Sequence, residues 1–129
     1  MSSDSKVPEG LLYTPTHEWV KVEGKVATIG ITDHAQSELT DVVFVELPQI
    51  GKVLKEKEVL VVLESVKTVA EVYAPTGGKV VGVNEDAKKT PELVNKDPYG
   101  KGWLVAIEMD STPANLMSSD KYRSAIAAK

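Results

Sequence analysis

Short runs of alternating apolar and polar residues recur along the chain, and Gly, Pro, Asn or Asp separates most of them. Alternation with a period of two is typical of strands that bury one face. The predicted strands cover about 19–22, 25–31, 42–47, 50–54, 58–63, 69–73, 79–84 and 103–109. Many short strands with turn signals between them favour a sandwich or a flattened barrel.

Three other segments carry helix-start signals instead of alternation. A Ser or Thr at the N-cap, or a Pro in the first turn, suits the start of a helix. The predicted helices are capped by Thr32, by Thr90 and by Ser118 or Ser119, and they cover about 33–39, 91–94 and 119–127. We therefore expect a mainly β fold with short flanking helices and a C-terminal helix.

A chain of 129 residues is expected to form a single domain. Residues 1–10 are polar apart from a few positions and contain Pro8 and Gly10, so they predict a frayed lead-in. Residues 11–110 hold the predicted strands and form the expected core. Residues 111–129 form the expected C-terminal helical segment.

Composition changes the functional prediction more than the fold prediction. The chain has no cysteine, which excludes disulfides, thiolate metal sites and cysteine nucleophiles. Its formal net charge of −4 and the lack of a basic run argue against nucleic-acid binding. No apolar run is long enough to span a membrane. His17 and His34 are the only histidines and lack a recognised metal-ligand spacing, so both are interpreted as structural or surface residues and no metal site is predicted.

Lys67 lies in a turn between two β runs, in the segment Ser65-Val66-Lys67-Thr68. A hairpin tip projects its side chains into water, and such tips usually contain Asn, Asp or Gly. Exposed Val66 gains nothing from solvation and is a candidate contact for a partner. Lys67 is nevertheless one of fourteen lysines, so a solvated charge that covers a sheet edge is the simplest interpretation of the position alone.

The segment Glu64-Ser65-Val66-Lys67 resembles the lipoyl-attachment motif of the glycine cleavage H proteins. Further segments resemble that family in the same order along the chain. They are 13–20 (YTPTHEWV), 26–36 (VATIGITDHAQ), 41–48 (DVVFVELP), 73–75 (YAP), 94–100 (VNKDPYG) and 102–104 (GWL). The resemblance covers roughly residues 11–109, and several motifs in one register make a chance match very improbable.

The resemblance implies a fold of the lipoyl/biotinyl hammerhead type, which is a flattened β-sandwich or barrel-sandwich hybrid. It also implies lipoic acid in amide linkage to Lys67, on a carrier subunit without catalysis of its own. The implied partners are the decarboxylating glycine dehydrogenase (P protein), the aminomethyltransferase (T protein), dihydrolipoyl dehydrogenase (L protein) and a lipoate ligase or lipoyltransferase. The expected location is the cytoplasm of a prokaryote, or the mitochondrial matrix for a processed eukaryotic form.

Further site residues follow only from the resemblance. Glu64 belongs to the lipoylation motif. Glu18 and Glu71 correspond to the acidic residues proposed to hold the lipoyl arm, when it carries the aminomethyl group of glycine, in a groove of the carrier. Thr16 is a nearby hydroxyl. Glu71 occupies a position where the family usually has Asp. Without the family, the simplest interpretation of Glu18 is a solvated charge at the end of a strand.

Three other functions stay open at the level of sequence. A biotinyl carrier usually has Met on both sides of the modified lysine, whereas Val66 and Thr68 flank Lys67 here. An H-like protein that serves lipoate relay or sulfur metabolism has the same attachment motif. An unmodified interaction module would be recognised by its intact mass. An independent enzyme is disfavoured, since the chain contains no nucleophile elbow or phosphate loop.

Overall fold

The computed structural model describes residues 5–111, 113 and 116–127. Nine strands and four helices form within these residues. In chain order they are β1 (Leu12–Tyr13), β2 (Glu18–Glu23), β3 (Val26–Ile31), α1 (Asp33–Leu39), β4 (Val42–Glu46), β5 (Val53–Leu54), β6 (Val59–Ser65), β7 (Val69–Tyr73), β8 (Gly78–Val83), α2 (Glu85–Lys89), α3 (Leu93–Lys96), β9 (Val105–Met109) and α4 (Ser119–Ala127). No helix in this part of the chain is long and apolar enough to cross a membrane.

The strands form two sheets, and every pairing within them is antiparallel. The larger sheet has the order β1-β2-β3-β9-β8-β5 and the smaller has the order β4-β6-β7. The sheets do not close into a barrel, and the helices around them are short. These features confirm the predicted fold class, a mainly β flattened sandwich with a C-terminal helix.

The main core is built from the inward faces of both sheets. Alternate residues of each strand point inward, so β-branched residues fill the interior efficiently. Its fully buried members include Ile29, Val45, Leu63, Val80 and Ile107. The smaller sheet therefore packs against the larger one through one apolar face and leaves its other face to solvent.

A second apolar cluster holds the N-terminal segment and α4 in place. Val7 is buried in this cluster together with Tyr13, Trp19 and Tyr122. The Tyr13 hydroxyl also donates a hydrogen bond of 2.6 Å to the carbonyl oxygen of Pro8. The prediction of a frayed lead-in is therefore wrong for this part of the segment, while residues 1–4 lie outside the described residues.

The region before β9 differs from the sequence prediction. Asn84, predicted as the end of a strand, instead caps α2, a helix that the pattern did not indicate; its side chain accepts a hydrogen bond from Asp86 N. Thr90, predicted as the N-cap of a helix over 91–94, is the C-cap of α2, and its N–H donates to Asp86 O. The next helix, α3, consequently begins at Leu93 and has no side-chain cap.

Candidate functional site

Lys67 lies at the exposed tip of the hairpin between β6 and β7, as the pattern of the sequence predicted. Ser65 shapes the turn, because its Oγ accepts hydrogen bonds from the backbone N–H groups of Lys67 and Thr68 at 3.3 and 3.1 Å. Val66 N donates to Asp41 O at 3.0 Å, which fixes the tip to the chain that enters β4. The backbone of the tip is therefore held while the lysine side chain extends into solvent.

The outer face of the smaller sheet leads away from this tip. Residues paired across antiparallel strands point to the same face, so the register defines rows of neighbouring side chains. The two rows nearest the tip are Phe44–Glu64–Val69 and Glu46–Val62–Glu71. Phe44 and Val69 are exposed, as are the three carboxylates. Glu64 thus lies on an exposed surface of mixed apolar and acidic character beside Lys67.

Glu18, at the start of β2, is buried between the two sheets with 2% of its surface exposed. Hydroxyls of Thr14 and Thr16 donate to its Oε1, the latter at 2.6 Å. Its Oε2 accepts a hydrogen bond of 3.2 Å from the backbone N–H of Tyr73, at the end of β7. Since β2 and β7 belong to different sheets, this carboxyl joins the sheets. The interpretation of Glu18 as a solvated charge is wrong.

Burial raises the pKa of Glu18 above its ordinary value, because the charged form loses hydration. The hydrogen bonds from Thr14, Thr16 and Tyr73 act in the opposite direction, and burial dominates. A cation next to this carboxyl would lower its pKa again, because the cation supplies the compensation that water no longer gives.

Tyr73 connects the buried carboxyl with an exposed one. Its backbone N–H binds Glu18, and its hydroxyl donates a hydrogen bond of 3.1 Å to Oε1 of Glu71, two residues earlier on the same face of β7. The bond to Glu71 raises the pKa of Tyr73. The sequence pattern had marked Tyr73 only as part of a family motif; its alternation with Glu71 on one face was the signal that could have added it to the site.

A cavity of about 450 Å³ opens beside Glu18. Four parts of the chain form its walls, residues 14–18, 56–57, 73–75 and 116. Lining residues include Thr16, Glu18, Glu56, Lys57, Tyr73 and Pro75. Thr16 and Glu18 are therefore brought together as predicted, whereas Glu71 does not line the cavity and reaches it only through Tyr73. The walls offer an apolar surface with a hydroxyl and a buried carboxyl on one side.

Comparisons with known proteins agree with this architecture. A family model described as Glycine cleavage H-protein matches residues 11–129. A glycine cleavage system H protein of Herpetosiphon aurantiacus is 50% identical over 118 residues, which cover 92% of this chain and 92% of the relative. A probable glycine cleavage system H protein of Thermoplasma acidophilum is 51% identical over 122 residues, which cover 95% and 97% of the two chains.

Among solved structures, the crystal structure of a glycine cleavage system H protein from Mycobacterium marinum superposes with a TM-score of 0.86. The two chains are 34% identical, and the match covers 92% of this chain and 97% of that chain. The resemblance seen in the sequence motifs is thus confirmed over nearly the whole length, by sequence and by fold. The chain belongs to the glycine cleavage H-protein family.

Proposed function

We propose that this chain carries the aminomethyl group of glycine on lipoic acid attached through an amide bond to Lys67. Its family consists of carrier subunits of the glycine cleavage system, so the chain is a carrier in that system. The observation that supports the attachment site is the position of Lys67, exposed at the apex of a turn whose backbone is fixed by Ser65 and Asp41.

The residues at the tip fit a covalently attached lipoyl group. Within the described residues the ammonium of Lys67 takes part in no ion pair, so acylation there removes a charge without breaking a contact. A modifying enzyme can enclose an apex residue more easily than one in the middle of a strand. The chain has no cysteine and therefore no disulfide of its own. When bound, lipoic acid supplies the disulfide that accepts the aminomethyl group.

Thr16 and Glu18 are proposed to hold the loaded arm at the cavity. The aminomethyl group carries an amine that is cationic when protonated, and the buried carboxyl of Glu18 offers a charge-assisted hydrogen bond to it. The apolar part of the wall would keep water from the labile group. Because the pKa of Glu18 is raised by burial, the arriving ammonium also favours the ionised carboxylate that binds it.

Glu71 is proposed to act nearer the attachment point. It lies four residues after Lys67 in the chain and is the third residue of β7. Its carboxylate is exposed and accepts the hydroxyl of Tyr73, a residue of the cavity wall. Glu71 and Glu18 thus mark the two ends of one path from the hairpin tip to the cavity.

The exposed apolar residues around the tip are proposed to form the surface that the partners contact. Val66 is 68% exposed, and Val43, Phe44 and Val69 lie in strands next to it. Glu64 stands among them and would present the lipoylation motif to a lipoate ligase or lipoyltransferase. The P, T and L proteins of glycine cleavage would each meet the arm at this end of the molecule.

The test is the variant Lys67→Arg, which keeps a positive charge but removes the amine that can be acylated. Purified parent protein treated with lipoate ligase, ATP and lipoate should gain the mass of one lipoyl group, and the variant should gain none. Lys79→Arg is a matched control, since Lys79 is exposed on β8 in the other sheet. Lipoylation of the Lys67→Arg variant at another lysine would refute the assigned site.

A further inference from the structure

His17, His34 and Glu38 come together on the side of the larger sheet that carries α1. Antiparallel pairing aligns Glu18 of β2 with Ile31 of β3, which places His17 beside the start of α1. His34 and Glu38 are four residues apart on that helix and therefore share one face. The pairing register, rather than the spacing along the chain, creates the cluster.

The geometry of this cluster approaches that of a metal site. One potential ligand atom from each of the three residues lies within 4.8 Å of the other two. Nε2 of His34 is 3.5 Å from Oε2 of Glu38. A tetrahedral ion with bonds of about 2.0–2.1 Å holds its ligands about 3.3 Å apart. The three ligand atoms therefore need to approach one another by up to about 1.5 Å to bind such an ion. The Glu38 side chain is 63% exposed, so it can change its rotamer.

His34 gives an independent sign that this cluster binds a ligand. The residue is buried, with 4% of its surface exposed, yet its Nε2 makes no hydrogen bond with the described part of the chain. Buried polar atoms are nearly always satisfied, so an exception calls for an explanation. This nitrogen faces Glu38 and the neighbouring ring of His17, whose centroid is 4.8 Å from that of His34.

His17 is also oriented as metal-binding histidines usually are. Its Nδ1 lies 2.7 Å from the hydroxyl of Tyr122, and that hydroxyl lies 2.7 Å from Oγ1 of Thr32. A hydrogen-bonded group of this kind commonly fixes the ring of a ligating histidine. Tyr122 belongs to α4, so the arrangement links β2, α1 and α4.

We infer that His17, His34 and Glu38 form a binding site for one divalent transition-metal ion, with Zn²⁺ as the best match. Two imidazole nitrogens and one carboxylate oxygen are a common zinc ligand set, with the fourth position left to water. Mg²⁺ and Ca²⁺ prefer all-oxygen sites and fit poorly. The ion connects β2 with α1, whose C-terminal end leads to Asp41 and so to the backbone contact that supports the hairpin tip.

The test uses tag-free protein with Lys67 unmodified, so that its result is independent of the lipoyl carrier function. Isothermal titration with Zn²⁺ above neutral pH, where imidazoles ligate in their neutral form, should give one ion per chain. Glu38→Gln is the principal variant because the side chain is 63% exposed and its loss leaves the fold intact. Glu23→Gln makes the same charge change at the exposed end of β2 and serves as the control.

We expect the dissociation constant for Zn²⁺ to rise at least tenfold in Glu38→Gln and to stay unchanged in Glu23→Gln. His17→Asn should weaken binding by a similar factor, and Asn tolerates the positive φ of 72° at this position. Zn²⁺ should also raise the thermal midpoint of the parent protein, and at the same Zn²⁺ concentration it should raise that of Glu38→Gln by less. Absence of stoichiometric binding to the parent, or equal affinities in Glu38→Gln and Glu23→Gln, overturns the assignment.

Discussion

The substitution Glu18→Gln tests whether burial raises the pKa of the Glu18 carboxyl in the folded protein. The amide can preserve the local hydrogen bonds, since its oxygen can accept from Tyr73 N and its nitrogen can donate to the hydroxyls of Thr14 and Thr16, which rotate. The fold should therefore survive, and the main difference is that Gln cannot ionise. Any change in relative stability with pH then reports on Glu18.

The sign of the effect follows from the raised pKa of Glu18 in the folded protein. The stabilisation linked to the protonated carboxyl is fully present below the ordinary pKa of 4.5 and is lost as the pH rises through the raised value. A single proton limits the slope to about 1.4 kcal/mol per pH unit. The free energy of unfolding of the parent, relative to Glu18→Gln, should therefore fall from about pH 4.5 upward and then become constant.

Urea unfolding at a series of pH values measures this difference directly for both proteins. Glu23→Gln, the control at the exposed end of β2, measures the general effect of removing one charge. A surface substitution of this kind usually changes the free energy of unfolding by no more than about 0.5 kcal/mol. A difference between parent and Glu18→Gln that is flat with pH would contradict the argument, as would a parent that gains stability relative to the variant as the pH rises.

Three further results are expected. Replacing Glu64 by Ala should slow lipoylation of Lys67 while changing the free energy of unfolding by no more than about 0.5 kcal/mol, because Glu64 is exposed. Equal rates of lipoylation in the variant and the parent would show that the modifying enzyme does not recognise Glu64. Neutralising Glu18 and Glu71 together should shorten the lifetime of the aminomethyl group on loaded protein and leave reoxidation of the free dithiol unchanged, since the dithiol has no ammonium; an unchanged lifetime would count against both residues. Leu63→Ala should lower the free energy of unfolding by about 2–5 kcal/mol in urea titrations, because Leu63 is fully buried between the sheets, and a loss below 1 kcal/mol would contradict that packing.

The local pattern of apolar and polar residues was sufficient to predict those strands in which buried and exposed residues alternate regularly. The run before Lys67 and the run after it became β6 and β7, and Val69 and Glu71 share the exposed face while Val72 is buried. An antiparallel sheet with one face in solvent imposes this alternation on the sequence itself. The exposed lysine at the tip followed from the same reasoning, since a turn that projects beyond the sheet places its side chains in solvent.

Local pattern failed where a residue's role depends on its tertiary neighbours. Asn84 continues an apolar run and resembles the end of a strand, but its amide donates to the carbonyls of Lys101 and Trp103 while its oxygen caps α2. Val7 sits among polar residues and is buried only because α4 returns to the N-terminal segment. Contacts between residues far apart in the chain decide both cases.

The sequence by itself determined the strands, the family and the lysine at the hairpin tip, because alternation and motif order are properties of neighbouring residues. Only the tertiary structure decided that Glu18 is buried with a raised pKa, since its partner Tyr73 is 55 residues away in the other sheet. It also decided that His17 lies close to Glu38. The physical reason is that burial and ligand geometry arise where separate elements pack. The chain carries these side chains, but only the register of β2 with β3 and the contact between the sheets set their distances.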